Sequence, residues 1–271
     1  MPARQKVFFE TGAPVVGDNV KFTVLDEEAL EGNIDEILPR TNVLVRPASA
    51  NVDQALVVFA ITQPDPNFNL LDRFLIMMLA QDIPVTICFN KTDLETEEKQ
   101  REYRNIYEQA GYPVMFVSTY EKSGVEAVRD YLRGKTTILA GPSGVGKSSL
   151  TNLLQPEAAM ETGSISEKIK RGKHTTRHAQ LIEAGGLRVM DTPGFSLLEF
   201  DQVMDPVELM DYYPEFQPYQ GCCRFQPCYH GSEPGCAVIQ AAREGKISPA
   251  RLERYHELLE KTRQLWRERY D

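Results

Sequence analysis

Apolar residues in this 271-residue chain fall into short solid runs separated by polar turns. Residues 85–89 (Val-Thr-Ile-Cys-Phe) and 135–140 (Lys-Thr-Thr-Ile-Leu-Ala) are rich in β-branched side chains, the pattern of strands buried on both faces of a parallel sheet. Residues 113–117 and 187–190 repeat it in shorter form, and helices are expected at 97–110 and 147–154. Strand and helix patterns alternating in this way predict an α/β core. The first 48 residues differ, with strand candidates at 19–25, 32–37 and 42–46 and no helix between them. At the other end, residues 248–270 carry Leu252, Tyr255, Leu259, Thr262 and Trp266 at helical spacing on an otherwise charged surface, a stripe that reads as packing. The composition shifts near 47–52 and again after Phe200, where 201–219 turns acidic, aromatic and proline-bearing. Three domains are therefore expected, at 1–48, 49–200 and 201–271.

The strand at 135–140 runs into Gly141-Pro142-Ser143-Gly144-Val145-Gly146-Lys147-Ser148-Ser149, which fits G-x-x-x-x-G-K-[ST] without a mismatch. A phosphate loop needs this context, because its backbone N–H groups must curl around a β-phosphate in front of a helix N-terminus. In such a loop Lys147 reaches the β- and γ-phosphates and the Ser148 hydroxyl ligates Mg²⁺. A bare Gly/Ser turn is the plain alternative; the complete match in the right context outweighs it.

Asn90-Lys91-Thr92-Asp93 closes the strand at 85–89. A carboxylate at Asp93 can accept from both the ring N–H and the exocyclic amine of guanine, whereas adenine presents the wrong edge. Four residues alone would read as a strand-end turn, and the phosphate loop downstream changes that balance. Ser118-Thr119, after the strand at 113–117, occupies the place of a loop that backs the base, although Ser/Thr pairs end many strands. The order of these motifs is unusual, since ordinary GTP-binding domains carry the phosphate loop first. The domain is expected to be circularly permuted, with its switch regions leading directly into 201–271.

Asp191-Thr192-Pro193-Gly194 ends the strand at 187–190, where a carboxylate holds Mg²⁺ through water and a glycine N–H senses the γ-phosphate. An Asp-x-Pro-Gly β-turn is the alternative. Between the two motifs lies Lys173-His174-Thr175-Thr176-Arg177, in which either Thr175 or Thr176 can complete the Mg²⁺ shell. Phe195 follows Gly194 and cannot orient a water, so the polar catalyst must come from elsewhere. His174 is the nearest candidate, against the alternative of a solvated histidine.

Cys223-x4-Cys228-x-His230-x5-Cys236 supplies three thiols and one imidazole in a short Gly/Pro-rich segment, the ligand set of a closed tetrahedral zinc site. Cys222 competes for the first position, and Cys88, inside an apolar strand, reads as an inert core thiol. The first residues, Met1-Pro2-Ala3-Arg4-Gln5-Lys6, show no secretory signal, so a reducing, cytoplasmic setting is expected and disulfides are not. A hydrophobic content of 42% without an apolar run of membrane-spanning length points away from a membrane protein. The net charge of −9 argues against a generic polyanion binder, yet Lys168, Lys170, Arg171, Lys173 and Arg177 lie together with no acid between them. These charges read either as a solvated loop or as a phosphate-binding one.

The permuted motif order, Gly172-Lys173-His174-Thr175-Thr176, the cysteine cluster and Glu233-Pro234-Gly235-Cys236-Ala237-Val238 together resemble the RsgA (YjeQ/YloQ) family of bacterial small-ribosomal-subunit biogenesis GTPases. Val16-Gly17-Asp18, Ile37-Leu38-Pro39-Arg40 and Ala50-Asn51-Val52-Asp53-Gln54 are similar to that family as well, and the resemblance runs from about Pro14 to the end. It implies a multidomain α/β protein with an N-terminal OB-type β-barrel, a circularly permuted P-loop GTPase domain and a mostly helical zinc-binding domain. It further implies binding to the decoding region of a maturing small subunit, with His174 activating water in place of a glutamine. Only Met1 to Ala13 precede Pro14, fewer than the family usually has there, so the barrel is expected to be partial and its RNA-binding face is in doubt.

The sequence thus predicts a monomeric GTP hydrolase with one structural zinc and with Mg²⁺ bound alongside GTP. GTP would order 168–177, the ordered form would bind small-subunit rRNA, and hydrolysis would release it. Two rivals remain: a P-loop kinase or ATPase, which Asn90 and Asp93 disfavour, and a zinc-containing RNA-binding module that only senses GTP.

Overall fold

The computed structural model describes residues 13–29, 31–45, 48–154, 180–191 and 204–269. Its centre is a six-stranded sheet in which three of the four inner strands are buried along their whole length. These are β5 (Gln54–Ala60), β6 (Val85–Asn90) and β8 (Thr136–Ala140). Burial on both faces is why they read as solid apolar runs. In β5 the side chains divide with period two, Ala55, Val57 and Phe59 facing one apolar cluster and Leu56, Val58 and Ala60 the other. The helices α1 (Phe68–Leu79) and α2 (Glu97–Gln109) cover the first face, while α3 (Val125–Leu132) and α4 (Lys147–Leu154) cover the second.

The strand order is β7-β6-β5-β8-β10-β9, with β7 at Val114–Phe116, β9 at Gln180–Ala184 and β10 at Leu187–Asp191. All neighbours are parallel except the β9–β10 edge. The chain steps outward from β5 to β7, and α3 then carries it back across the sheet to β8 on the far side of β5. The direction of travel reverses between β5 and β8, the position at which open α/β sheets form their ligand crevice. Because β6, β8 and β10 run parallel, Asn90, Gly141 and Asp191 all leave the sheet at one edge.

Among the described residues the N-terminal part forms two separate ladders rather than one three-stranded unit. The hairpin β1 (Val20–Asp26) and β2 (Glu31–Ile37) stands apart from a two-residue ladder of β3 (Val43–Leu44) with β4 (Ser49–Ala50). Of the strand expected at 42–46, the described residues pair only Val43 and Leu44, with Leu44 buried and Val43 and Val45 exposed. A polar knot ties this part to the sheet. Asp18 receives Arg40 through two bonds of 2.6 and 2.8 Å, and Asn51 donates to the Gly17 carbonyl at 2.9 Å. Gly17 has φ +94°, and a Cβ there would stand 2.1 Å from the Ala50 oxygen and 2.5 Å from the Met190 methyl. No other residue type fits that turn.

The C-terminal part consists of two 3₁₀ turns, Glu208–Tyr212 and Pro214–Tyr219, followed by α5 (Ala237–Arg243) and α6 (Pro249–Glu268). Its core stacks Tyr213, Phe216 and Tyr255 at centroid distances of 4.9–5.0 Å. Leu252, Tyr255, Leu259 and Thr262 are buried, so most of the apolar stripe of α6 packs inward. This part docks on α1 and α2 through Arg251, which is 1% exposed and contacts Asp72 at 2.6 Å and Glu215 at 2.8 Å. Arg254 adds a second bond to Asp72 at 2.6 Å, and the Arg251 guanidinium lies 4.8–5.7 Å from the rings of Tyr107, Tyr112 and Tyr213. Among the described residues no helix is long and apolar enough to cross a membrane.

Desolvated carboxylates without their cation are costly, so Arg251→Ala should lower unfolding stability by about 3–5 kcal/mol in urea titrations. Arg251→Met combined with Glu215→Gln should be more stable than that single variant, because Asp72 keeps its pair with Arg254 and no carboxylate is stranded. A double variant less stable than Arg251→Ala would contradict the assignment of this cost to stranded charge.

Candidate functional site

Three loops meet at the C-terminal edge of the sheet, and one buried side chain holds them. Asn90, at the end of β6, donates through Nδ2 to the Val145 carbonyl at 2.8 Å and to Thr119 Oγ1 at 3.3 Å, while its Oδ1 accepts from the Thr119 N–H at 3.1 Å. The amide therefore bonds the loop of residues 90–93 to the glycine-rich loop and to Ser118-Thr119 at once. Gly146, at φ +93°, permits this contact, because a Cβ would lie 2.2 Å from Asn90 Nδ2. Gly141, at φ +136°, lies against β5, where a Cβ would be 2.0 Å from the Val58 oxygen. The loop bends as tightly as it does because both positions are glycine.

The remaining loop residues present the polar groups expected of an anion cradle. Lys147 Nζ lies over the loop, donating to the carbonyls of Gly141 at 2.7 Å and Pro142 at 2.6 Å. Ser143, Gly144, Ser148 and Ser149 are exposed, and Val145 is buried. The Thr151 hydroxyl and the Leu150 N–H secure the first turn of α4 by bonding to the carbonyls of Lys147 at 3.0 Å and Gly146 at 2.9 Å.

On the other side of Asn90, Lys91 takes a left-handed conformation at φ +65° and its ammonium donates to the Gln63 carbonyl. Thr92 N–H bonds to the Val117 carbonyl at 3.2 Å. The Asp93 carboxylate accepts from the Ser118 hydroxyl, whose oxygen in turn accepts from the Glu121 N–H at 3.0 Å. Ser118 is fully buried, so this bond holds the Asp93 carboxylate from the protein side. Asp191 is the last residue of β10, with its backbone paired to Leu139 and Gln180. His174, Thr175, Thr176 and Gly194, together with Lys168, Lys170, Arg171, Lys173 and Arg177, lie outside the described residues.

Cys223, Cys228, His230 and Cys236 converge in the C-terminal part, with their ligand atoms all within 4.8 Å of one another. His230 Nδ1 lies 3.6 Å from Cys223 Sγ and 3.4 Å from Cys236 Sγ, and these two sulfurs are 3.9 Å apart. Bonds of about 2.3 Å to sulfur and 2.1 Å to nitrogen place tetrahedral ligands roughly 3.5–3.8 Å from each other, so the cluster has the dimensions of a zinc site. The chemistry agrees: burial pushes the Cys228 thiol up to about 12 and lowers His230 below its ordinary value, so thiolates share this pocket only around a cation. Cys222 is exposed and outside the cluster, and burial pushes the Cys88 thiol up to about 12 inside β6.

Sequence reasoning missed what holds the cluster in place. The Ala237 N–H donates to Cys223 Sγ at 3.3 Å. Glu233 folds its carboxylate onto the N–H groups of Tyr229 and Ser232, both at 3.1 Å. Burial opposes that charge, but the backbone donors outweigh it and keep Glu233 below the usual carboxylate range. Tyr255 and His256 on α6 donate to the carbonyls of Tyr229 at 2.6 Å and His230 at 2.8 Å. Glu233 and Ala237 stood out in sequence only through the run 233–238 around Cys236, and Tyr255 only as a packing position of the helical stripe.

Comparison with known proteins agrees with this arrangement. The family model described as RsgA GTPase matches residues 37–201. A protein of Agathobacter rectalis named small ribosomal subunit biogenesis GTPase RsgA is 56% identical over 248 residues, spanning 91% of this chain and 82% of that one. A relative of the same name in Clostridium acetobutylicum is 43% identical over 259 residues, 96% of this chain and 88% of its own. The crystal structure of YjeQ from Thermotoga maritima superposes with a TM-score of 0.78 at 34% identity, covering 96% of this chain and 88% of that one. That of YloQ, titled a circularly permuted GTPase, superposes with a TM-score of 0.75 at 36% identity, covering 97% and 86%.

If Asp93 reads the base, Asp93→Asn should weaken GTP binding and improve that of xanthosine triphosphate, because an amide donates where the carboxylate accepted. Unchanged GTP affinity in equilibrium titrations would remove Asp93 from the site. Metal analysis should find about one zinc per chain, and Cys228→Ser should lose it together with order in the segment around residues 221–245, seen as rapid amide exchange there. A Cys228→Ser protein that keeps its zinc would contradict the ligand set.

Proposed function

We propose, from the premise that this chain belongs to the RsgA GTPase family, that it is a GTP hydrolase acting as a late assembly factor of the small ribosomal subunit. The observation that carries the catalytic half is the buried Asn90 amide, which joins a guanine-type loop to a phosphate loop that follows it in sequence. The relatives' shared name supports the ribosomal half.

In this mechanism Asp93, oriented by Ser118, accepts from the guanine edge. Asn90, Lys91, Thr92 and Thr119 fix the loops around the base. The N–H groups of residues 141–149 and the Lys147 ammonium hold the phosphates. Ser148, Asp191 and one of Thr175 and Thr176 would hold Mg²⁺, which supplies charge neutralisation at the phosphoryl oxygens. The Gly194 N–H contacts the γ-phosphate, and His174 orients the attacking water and takes its proton. Lys168, Lys170, Arg171, Lys173 and Arg177 engage rRNA phosphates when GTP orders their segment, so hydrolysis lowers the affinity for the subunit. Cys223, Cys228, His230 and Cys236 hold a structural zinc. The chain works as a cytoplasmic monomer divided near residues 48 and 200.

GTP hydrolysis measured with and without purified small subunits tests the proposal, and a wild-type rate that subunits leave unchanged would defeat it. His174→Ala should keep GTP binding, lose on the order of 10²–10⁴-fold in turnover, and remain on the subunit with GTP. Neutralising Lys170, Arg171 and Lys173 together should act in the opposite direction, weakening subunit binding and lowering its log–log salt slope by up to about three. Normal hydrolysis by His174→Ala on the subunit would rule out its catalytic role.

A further inference from the structure

Residues 118–123 form a closed loop beside the guanine-type motif. The Ser118 N–H donates to the Ser123 carbonyl at 3.0 Å, the Ser118 oxygen accepts from the Glu121 N–H at 3.0 Å, and the Thr119 N–H is held by Asn90 Oδ1 at 3.1 Å. Gly124, at φ +73°, shuts the loop against β7, where a Cβ would stand 2.3 Å from the Phe116 oxygen. Tyr120 lies between these fixed points, flanked by the residue bonded to Asn90 and by the one whose N–H bonds to Ser118. Its side chain is 85% exposed, more than any other large hydrophobic side chain among the described residues. Among those residues it has no hydrogen bond and no ring contact. Tyr120 follows Ser118 by two positions, so its Cα is no more than about 7.6 Å from that of the serine that holds Asp93, a span that a tyrosine ring can cross.

We infer that the Tyr120 ring stacks on the face of the guanine that Asp93 reads at its edge. Asp93, Asn90, Ser118 and Thr119 supply hydrogen-bonding groups, which serve the rim of a base and the loops around it but leave its faces to water. Covering a face takes an apolar plane, and an unpartnered tyrosine ring provides one. Ordering the ring fixes only two side-chain torsions, and the backbone beneath it is already tied at three points, so little entropy is lost when the base arrives. Every base has a π-face, so the contact adds affinity while the choice of base stays with Asp93. The assignment rests on the function proposed above in taking a guanine nucleotide as the ligand; it goes further in naming the residue that covers the base.

Equilibrium titrations of the zinc-loaded full-length protein with GDP, GTP and inosine triphosphate test this. Tyr120→Ala should raise all three dissociation constants by a common factor of about ten, as expected for loss of one base–aromatic stack. Competition by inorganic tripolyphosphate, which has no base, should stay at its wild-type strength. Tyr120→Phe should bind all three nucleotides as the wild type does, since stacking does not use the hydroxyl. Asp93→Asn differs in kind, because it reorders the preference among bases. Trp266 is the one tryptophan of the chain, so in a Trp266→Phe background Tyr120→Trp reports from the loop alone. Its emission should be quenched by GDP and left unchanged by tripolyphosphate. Wild-type nucleotide affinity in Tyr120→Ala, an equal loss for tripolyphosphate, or Tyr120→Trp emission that GDP does not change would each overturn the assignment. The two readings fail separately: a wild-type protein that binds no guanine nucleotide defeats the proposed function, while one that binds it no better than Tyr120→Ala defeats only the stacking role.

Discussion

A buried carboxamide has to be satisfied at both ends, and at Asn90 that requirement holds the nucleotide site together. Leaving its N–H₂ or its carbonyl unpaired in an apolar setting would cost roughly 1–3 kcal/mol per group. The partners that prevent this come from two other loops, Val145 on one side and Thr119 on the other. Permutation makes the bond more consequential, because the phosphate loop is reached only after β7, α3 and β8, with no local chain force to place it. The sheet brings the loops to one edge, and the amide fixes their spacing. Gly146 follows from the same constraint, since any side chain there would displace Asn90.

Contiguous chemistry was legible from sequence. The glycine-rich loop and the cysteine spacing specify their geometry within about a dozen residues, and the strands at β6 and β8 announce themselves because both faces are buried. The run Gln54–Ala60 meets the same criterion, but its position between β6 and β8 depends on long-range pairing that no local pattern encodes. Arg251 shows the opposite case. On a helix otherwise rich in charge it reads as solvated, and only its contact with Asp72, 179 residues away, reveals a fully buried cation. In the N-terminal part, 42–46 has strand-forming composition, yet only Leu44 finds a core to enter. The roles of Glu233 and of the Ala237 N–H were hidden for another reason: they act through backbone geometry, which residue identity does not display.

The two sites are built on different logic. Around the nucleotide, loops are spanned by side-chain-to-backbone bonds and by glycines that let strands approach, so the cradle is shaped by what is missing as much as by what is present. Around the metal, four ligands within one short segment are held by an aromatic stack and by a carboxylate consumed entirely by the loop it closes. The first design leaves polar groups facing outward for a ligand; the second turns them inward, with Phe225 left exposed on the surface.

The apolar clusters do not respect the boundaries suggested by the motifs. Leu44 and Val52, with Val16 packed against them, lie in the same cluster as β5 and α1, and Ile76 of α1 belongs to the cluster formed by the zinc-binding part. Each recognisable part therefore completes its interior with a neighbour's side chains. The parts are therefore coupled, since loosening one removes packing from its neighbour. Binding free energy gained at the metal end is consequently shared with the guanine end, and a chain stripped of zinc would hold its nucleotide loops on a softer foundation even though no zinc ligand comes near them.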